Sequence, residues 1–242
     1  MTFSAKTDIG QKRKINQDSF NCKAIGNSAA WMVVCDGMGG MAAGNVASDI
    51  AVKCLTRCFE ENLPKKASPE LIRSLLKSSI LSANAAVFAK ANENEELNGM
   101  GTTVVAAIIA SGVCYVAHAG DSRLYRMHKG VLSQVTTDHS IVQTMVDSGQ
   151  LTEEQAKIHP NKNIITRALG VHEDIEIDYT EFNVFEGDII FLCTDGLTNC
   201  VDDEKIAQVL LKEEFSDTAQ KCVELANENG GNDNITFVAV KI

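Results

Sequence analysis

The 242-residue sequence is short of positive charge: 22 Lys and Arg stand against 32 Asp and Glu, a formal net charge of −10. A nucleic-acid binder or a polybasic membrane-surface protein needs a cationic footprint, which this balance excludes. Long apolar runs are missing too. No stretch reaches the ~18 consecutive apolar residues of a membrane-spanning helix, and the polar start from Met1 to Lys14 lacks the apolar segment of a secretory signal. Aromatic residues make up only 5%, and the three prolines (Pro64, Pro69, Pro160) mark no linker. Repeats and low-complexity tracts are absent. What remains is an ordinary globular balance, 45% hydrophobic and 22% charged. That length supports one large domain with a real core, so a single domain over residues 1–242 is expected.

Cysteine is present but unorganised. Cys22, Cys35, Cys54, Cys58, Cys114, Cys193, Cys200 and Cys222 form no CxxC pair. Cys35 and Cys193 lie inside apolar runs (WMVVC, IIFLC), where the thiol acts as a small hydrophobe. Eight unpaired thiols point to a reducing, cytoplasmic setting.

Two stretches carry helical periodicity. From Ala43 the apolar positions run Val46, Ala47, Ile50, Ala51, Cys54, Leu55, Cys58, Phe59. A second helix is announced by Ser68 as N-cap and Pro69 in the first turn, and continues through Leu71, Ile72, Leu75, Leu76, Ile80, Ala83 and Val87. Two further helices are expected near 203–211 and 217–228. Strand-like runs fall at 31–35, 102–109, 113–119, 123–127, 175–182, 188–193 and 235–241. The Ala110-Ser111-Gly112 turn suits an antiparallel hairpin. The polar segment 138–170, with short helix signals at 140–147 and 152–156, reads as an excursion from the sheet. Helices in blocks with meandering strands between them point to the α+β class.

The aspartates carry the chemistry. Asp36 and Asp195 each close an apolar run and precede glycine, Asp121 follows a third run, and Asp233 precedes the last one. Asp18 lies in a polar stretch near the start. Asp-Gly and Asp-Asn are common turn pairs, so each alone is an ordinary turn. Four acids at the mouths of separate strands would converge on one sheet edge, where they repel unless a cation holds them. Oxygen-only ligands without a His or Cys cluster select hard ions, Mg2+ or Mn2+. The Gly37–Gly44 stretch imitates a dinucleotide fingerprint, but no second parallel strand and acid follow it. Its glycines are better placed to let backbone approach a charged centre, with the Gly37 carbonyl as an oxygen ligand. Arg13, in the basic run Lys12–Lys14, is either a solvated surface charge or an anion clamp beside the acids. The five histidines show no ligand spacing; His118 reads as a packed core residue, and a proton shuttle is the functional reading open to His139.

Read together, TDIGxxRxxNQD (7–18), VVCDGMGG (33–40), AGxxAS (43–48), GMGTT (99–103), GDSR (120–123), DHS (138–140), HPxxNxITRALG (159–170), CTDGL (193–197) and NDNIT (232–236) closely resemble the bacterial branch of the metal-dependent protein phosphatase 2C (PPM) family. The likeness runs from about Thr7 to Lys241. It implies a four-layer α-β-β-α sandwich, two antiparallel sheets with a metal cleft at one edge and a flap at about 138–170. The implied reaction is hydrolysis of phosphoserine and phosphothreonine in proteins, opposing a Hanks-type serine/threonine kinase. The implied cofactors are two Mn2+ or Mg2+ ions with a third, weaker one, and the implied state is a monomer.

By the same resemblance, Asp36 bridges two metals, while the Gly37 carbonyl, Asp195 and Asp233 complete the direct ligands. Asp18 holds metal-bound waters, Asp121 holds the third ion and Arg13 binds phosphate. The catalytic pair is then Arg13 and Asp36. Two cations about 3.5–4 Å apart lower the pKa of a bridging water, whose hydroxide attacks phosphorus in line. No cysteine begins a CxxxxxR loop, which excludes the cysteine-phosphatase route. The chain departs from the family at Gln17 and Asn45, where Glu is common, and at Met38 and Met41, where relatives carry His. Metal-bound water is then the default acid for the leaving oxygen. The alternative is a weak pseudophosphatase that binds phosphoproteins or a kinase.

Overall fold

The structure, a computed structural model, describes residues 1–26, 28–40, 43–64, 67–93 and 95–242. In chain order the elements are β1 (Thr2–Asp8), β2 (Asp18–Ile25), β3 (Ala29–Met38), α1 (Ala43–Asn62), α2 (Pro69–Glu93), β4 (Gly101–Thr102), β5 (Val104–Ala110) and β6 (Val113–Ala119). Then come β7 (Arg123–His128), β8 (Val131–Gln134), α3 (Ile141–Asp147), α4 (Glu153–Lys157), β9 (Asp178–Asn183), β10 (Ile189–Cys193), α5 (Asp195–Thr198), α6 (Asp203–Lys212), α7 (Thr218–Glu228) and β11 (Ile235–Lys241). One sheet has the order β1-β11-β10-β7-β8; the other is β2-β3-β5-β6-β9, with β4 added on β3. Every pairing among these strands is antiparallel.

The side-chain period of two explains why the central strands read as unbroken apolar runs. On β3, Met32 and Val34 face the other sheet and meet Val105, Ile190, Leu192 and Val238. Trp31, Val33 and Cys35 point the opposite way, into α1 and α2, against Leu55, Phe59 and Leu76. Trp31 and Phe59 meet edge-on at 5.6 Å. On the other side, Tyr125, Phe191 and Phe237 stack under Ile206, Cys222 and Val223 of α6 and α7. The result is the expected α-β-β-α sandwich of the α+β class.

Local signals behave as their chemistry dictates. The Ser68 hydroxyl accepts the Leu71 N–H at 3.2 Å and caps α2. The β5–β6 hairpin turns through Ser111 and Gly112, both at positive φ (52° and 78°), the backbone that matches the strand twist. The 138–170 excursion holds α3, capped by Ser140, and α4, closed by a Thr152–Gln155 capping box. It returns to the sheet where Leu169 and Thr102 exchange both backbone hydrogen bonds.

Four strands escape the sequence patterns. β1 and β2 are polar and mixed in burial, and each is an edge strand of its sheet. β8 is mostly exposed, and β4 has two residues. β9 begins at Asp178, three residues later than the run at 175–182 implied.

Candidate metal centre

Asp18 opens β2 directly opposite Asp36 on β3. Its Oδ2 accepts the hydroxyls of Thr194 (2.9 Å) and Thr236 (2.7 Å), both from the other sheet. Its Oδ1 is buried and has no partner. Asp36 is not at a strand end: β3 continues to Met38 because β4 pairs with Gly37 and Met38. The Asp36 carbonyl accepts from Thr103 N–H and Thr102 Oγ1, and its N–H donates to Thr103 Oγ1, which leaves the carboxylate as the free end.

The glycines are where backbone must touch backbone. A Cβ on Gly37 would overlap the Gly44 carbonyl oxygen in the first turn of α1 and lie 2.7 Å from the Gln17 oxygen. A Cβ on Gly196 would overlap the Asn234 carbonyl oxygen. Those contacts bring α1 and α5 against the strands that carry the acids. Asp195 sits in the first turn of α5, where a negative charge is favoured, and its Oδ2 accepts from Asn199 Nδ2 at 2.9 Å.

Asp233 is fixed from both sides. Its Oδ1 accepts the Asn234 N–H (2.8 Å), and its Oδ2 takes Arg13 Nη2 (2.7 Å). Asn234, which sequence reasoning passed over, organises the N-terminal loop. Its Nδ2 donates to the carbonyls of Ile9 and Ile15, and its Oδ1 accepts Gln17 N–H. That loop carries Arg13 to the site. The signal was present in NDNIT, but only the fold shows that the second asparagine points inward. Asp121 is buried, and the neighbouring Ser122 hydroxyl bonds Thr103 Oγ1 at 2.7 Å. Asp36, Asp121 and their supports thus share one hydrogen-bonded block.

The electrostatics show that the acids are brought together. Burial pushes the Asp18 carboxyl up to about 7; Thr236 and Thr194 pull it down, and Asp195 and Asp233 add to the rise. Burial first, then Asp18, Asp195, Asp121 and Asp233, holds Asp36 well above the carboxylate range. Asp121 is raised by burial, then by Asp195 and Asp138. Asp195 is lifted to about 6 by burial and then by Asp233. Arg123 offsets part of the charge at Asp195 and Asp121, and Arg13 pairs with Asp233. Among the described residues, the set of three ligand atoms within 4.8 Å of one another is His118, His139 and Asp178, not the aspartates.

The donor set fits a hard divalent ion. It is all oxygen, it repels itself, and one buried oxygen is unsatisfied. Met38 ends β3, half-buried, so no imidazole stands there; Met41 lies outside the described residues. Asn45 Oδ1 is a second buried, unpartnered oxygen, next to Gly44.

The family model for protein phosphatase 2C matches residues 10–236. The chain is 38% identical over 237 residues to the serine/threonine phosphatase stp of Listeria monocytogenes, covering 98% of this chain and 94% of that protein. The S. agalactiae serine/threonine phosphatase structure superposes with a TM-score of 0.92 at 37% identity, covering 100% of this chain and 99% of that one. The catalytic domain of the serine threonine protein phosphatase PstP, solved with two manganese ions, gives 0.87 at 34% identity, covering 99% and 97%. The family's enzymes are metal-dependent, and no helix among the described residues is long and apolar enough to cross a membrane. With a matching family model over almost the whole length, the chain belongs to the protein phosphatase 2C family and is a serine/threonine protein phosphatase.

Proposed function

We propose that the chain hydrolyses phosphoserine and phosphothreonine in proteins at a centre of two Mn2+ or Mg2+ ions, with a third, weaker ion at Asp121. The observation that carries this reading is the Asp18 Oδ1, buried and unpartnered among carboxylates that raise one another's pKa. Asp36, the Gly37 carbonyl, Asp195 and Asp233 are the direct ligands, and Asp18 orders water through its free oxygen. When bound, the cations supply a water of lowered pKa and offset charge on the phosphoryl group.

The chain's own residues do the rest. Arg13 is half-exposed at the cleft and swings from Asp233 to the phosphoryl oxygens, which its fork matches bidentately. The Thr194 and Thr236 hydroxyls hold Asp18 through Oδ2 and leave Oδ1 free. No side chain is needed as nucleophile. A phosphoprotein substrate requires a kinase as its source, and the reading pairs the enzyme with a Hanks-type serine/threonine kinase. Residues 1–242 act as one domain and one monomer, with 138–170 as the flap. Eight free thiols suit a reducing cytoplasm. No observation favours the binding-only alternative.

The test is p-nitrophenyl phosphate and phosphopeptide turnover with Mn2+, with and without EDTA. Turnover that appears with Mn2+ and vanishes with EDTA is expected. Phosphopeptide binding without any metal-dependent turnover would overturn the enzyme assignment.

A further inference from the structure

The His118–His139–Asp178 cluster lies outside the carboxylate centre, and its geometry excludes a metal. The two imidazoles stack with centroids 4.6 Å apart and planes within 9°. In-plane lone pairs on parallel stacked rings cannot converge on one ion. The space at His139 Nε2 is also taken by a cation, since Arg167 Nη1 lies 3.0 Å away and 2.6 Å from Asp178 Oδ1.

The bonds of His139 point elsewhere. Its N–H donates to the Gly120 carbonyl at 3.0 Å, and its Nδ1 accepts the Gly120 N–H at 3.1 Å. An amide N–H can only donate, so Nδ1 is the bare nitrogen and the ring proton sits on Nε2. From there it meets Asp178 Oδ2 at 3.2 Å. Gly120 has nowhere else to go: its φ is +113°, and a Cβ would lie 2.6 Å from the Thr103 side chain. Thr103 in turn is bonded to the Asp36 backbone twice and to Ser122. The Gly120–Asp121–Ser122 turn is therefore clamped between Thr103 on one side and the His139 ring on the other. His118 Nε2 donates to the Thr137 carbonyl (2.9 Å) and steadies the approach to His139. Burial lowers the pKa of both rings, which favours the neutral form that a bare Nδ1 needs.

We infer that His139 is a positioning residue: it fixes the Gly120–Asp121 peptide, and so the Asp121 carboxylate, while Asp178, itself held by the flap's Arg167, fixes the His139 tautomer. The inference rests on the proposed role of Asp121 for its metal consequence, but not for the hydrogen bond itself. It ties the seating of the flap base to the weakest cation site. Arg167 reaches β9 through Asp178 and the preceding loop through Glu176 (3.0 Å), so flap and edge strand meet at this ring.

Two readouts separate this from a general structural role. In EDTA-treated protein, exchange of the Gly120 amide measured by NMR should speed up about tenfold or more in His139→Ala. His139→Asn places an amide oxygen where Nδ1 stood and should restore protection. Calorimetric titration with Mn2+ should show the weakest binding class loosened about tenfold in His139→Ala, little changed in His139→Asn, and the tighter class unchanged in both. Asp178→Ala, which touches neither Gly120 nor Asp121, should loosen the same weak class. Equal behaviour of the Ala and Asn variants, or an unchanged Gly120 amide and weak class in His139→Ala, overturns the inference. If the Ala variant does not fold, His139→Asn and Asp178→Ala decide it by the same two measurements. Wild-type protein that binds no Mn2+ would sink the metal reading, and the amide exchange would still judge His139.

Discussion

Removing the cation should make stability fall as pH rises, and the share due to Asp18 can be isolated. Its carboxyl titrates at about 7 in the fold against 3.8 when free, because burial outweighs the two threonine hydrogen bonds. A folded pKa above the unfolded one means that the folded state binds the proton more tightly. The protonated carboxyl is no burden below about pH 4; the penalty grows as pH rises and is complete above about 7. Three pH units correspond to about 4 kcal/mol, of which about 3 kcal/mol develops between pH 5 and pH 8. Asp18→Asn mimics the neutral acid and removes this slope. It also cancels the buried histidines, whose lowered pKa values act in the opposite sense over part of that range. In EDTA, the stability of wild type relative to Asp18→Asn should drop by about 3 kcal/mol from pH 5 to pH 8, a relative shift of roughly 6–12 °C for a chain this long. Urea unfolding or thermal melts at both pH values measure it, and saturating Mn2+ should flatten the wild-type slope. Superimposable pH profiles for the two proteins would refute the claim that Asp18 is a strained carboxylate.

Asp36→Asn should abolish Mn2+-dependent hydrolysis while leaving circular dichroism native; wild-type turnover would remove Asp36 from the bridge. Arg13→Ala should raise KM for phosphopeptide and leave Mn2+ affinity within a few-fold, because its pair with Asp233 is half-exposed (side chains 49% and 31%) and such pairs contribute only about 0–1 kcal/mol. Unchanged KM and kcat would remove it from the site. Gly196→Ala should destabilise by about 2 kcal/mol or more, since its methyl meets the Asn234 carbonyl, and urea titration at fixed Mn2+ would show it. A neutral outcome would mean that α5 can shift away from β11.

How far these features are legible in the sequence follows from where their stabilisation arises. α1 and α2 announce themselves because one face packs on a sheet and Ser68 caps the second helix. β3, β5, β6, β10 and β11 are legible because both faces are buried. β1 and β2 are not, since their polar residues become strand only by pairing with β11 and β3. The acids are visible as residue types at run boundaries, and Asp36 lies inside its strand only through the β4 pairing. Asn234 and His139 act through partners more than a hundred residues away or across a loop, Ile9 and Ile15 for one and Gly120 for the other. No local pattern encodes those partners.

Asp188 shows what separates a structural carboxylate from a functional one. In sequence it looks like the others, an acid beside glycine at the mouth of the run that ends near Asp195. It is as buried as any of them. Burial is again the largest influence and pushes its pKa up, yet the net direction is down, because His128, Arg126 and the Phe185 N–H all donate to it. Arg126 is held in turn over the rings of Phe182 and Phe185, 5.2 and 5.8 Å from their centroids. Both carboxylate oxygens of Asp188 are answered by the protein. At the other end, Asp18 keeps an unanswered oxygen and Asp36 faces four like charges. A fold that satisfies one buried acid with an arginine, a histidine and an amide has the means to satisfy the rest. An unanswered Asp18 oxygen beside an Asp36 that faces four like charges is a set for something from solution to complete, and an oxygen-only, self-repelling set is completed by a divalent cation.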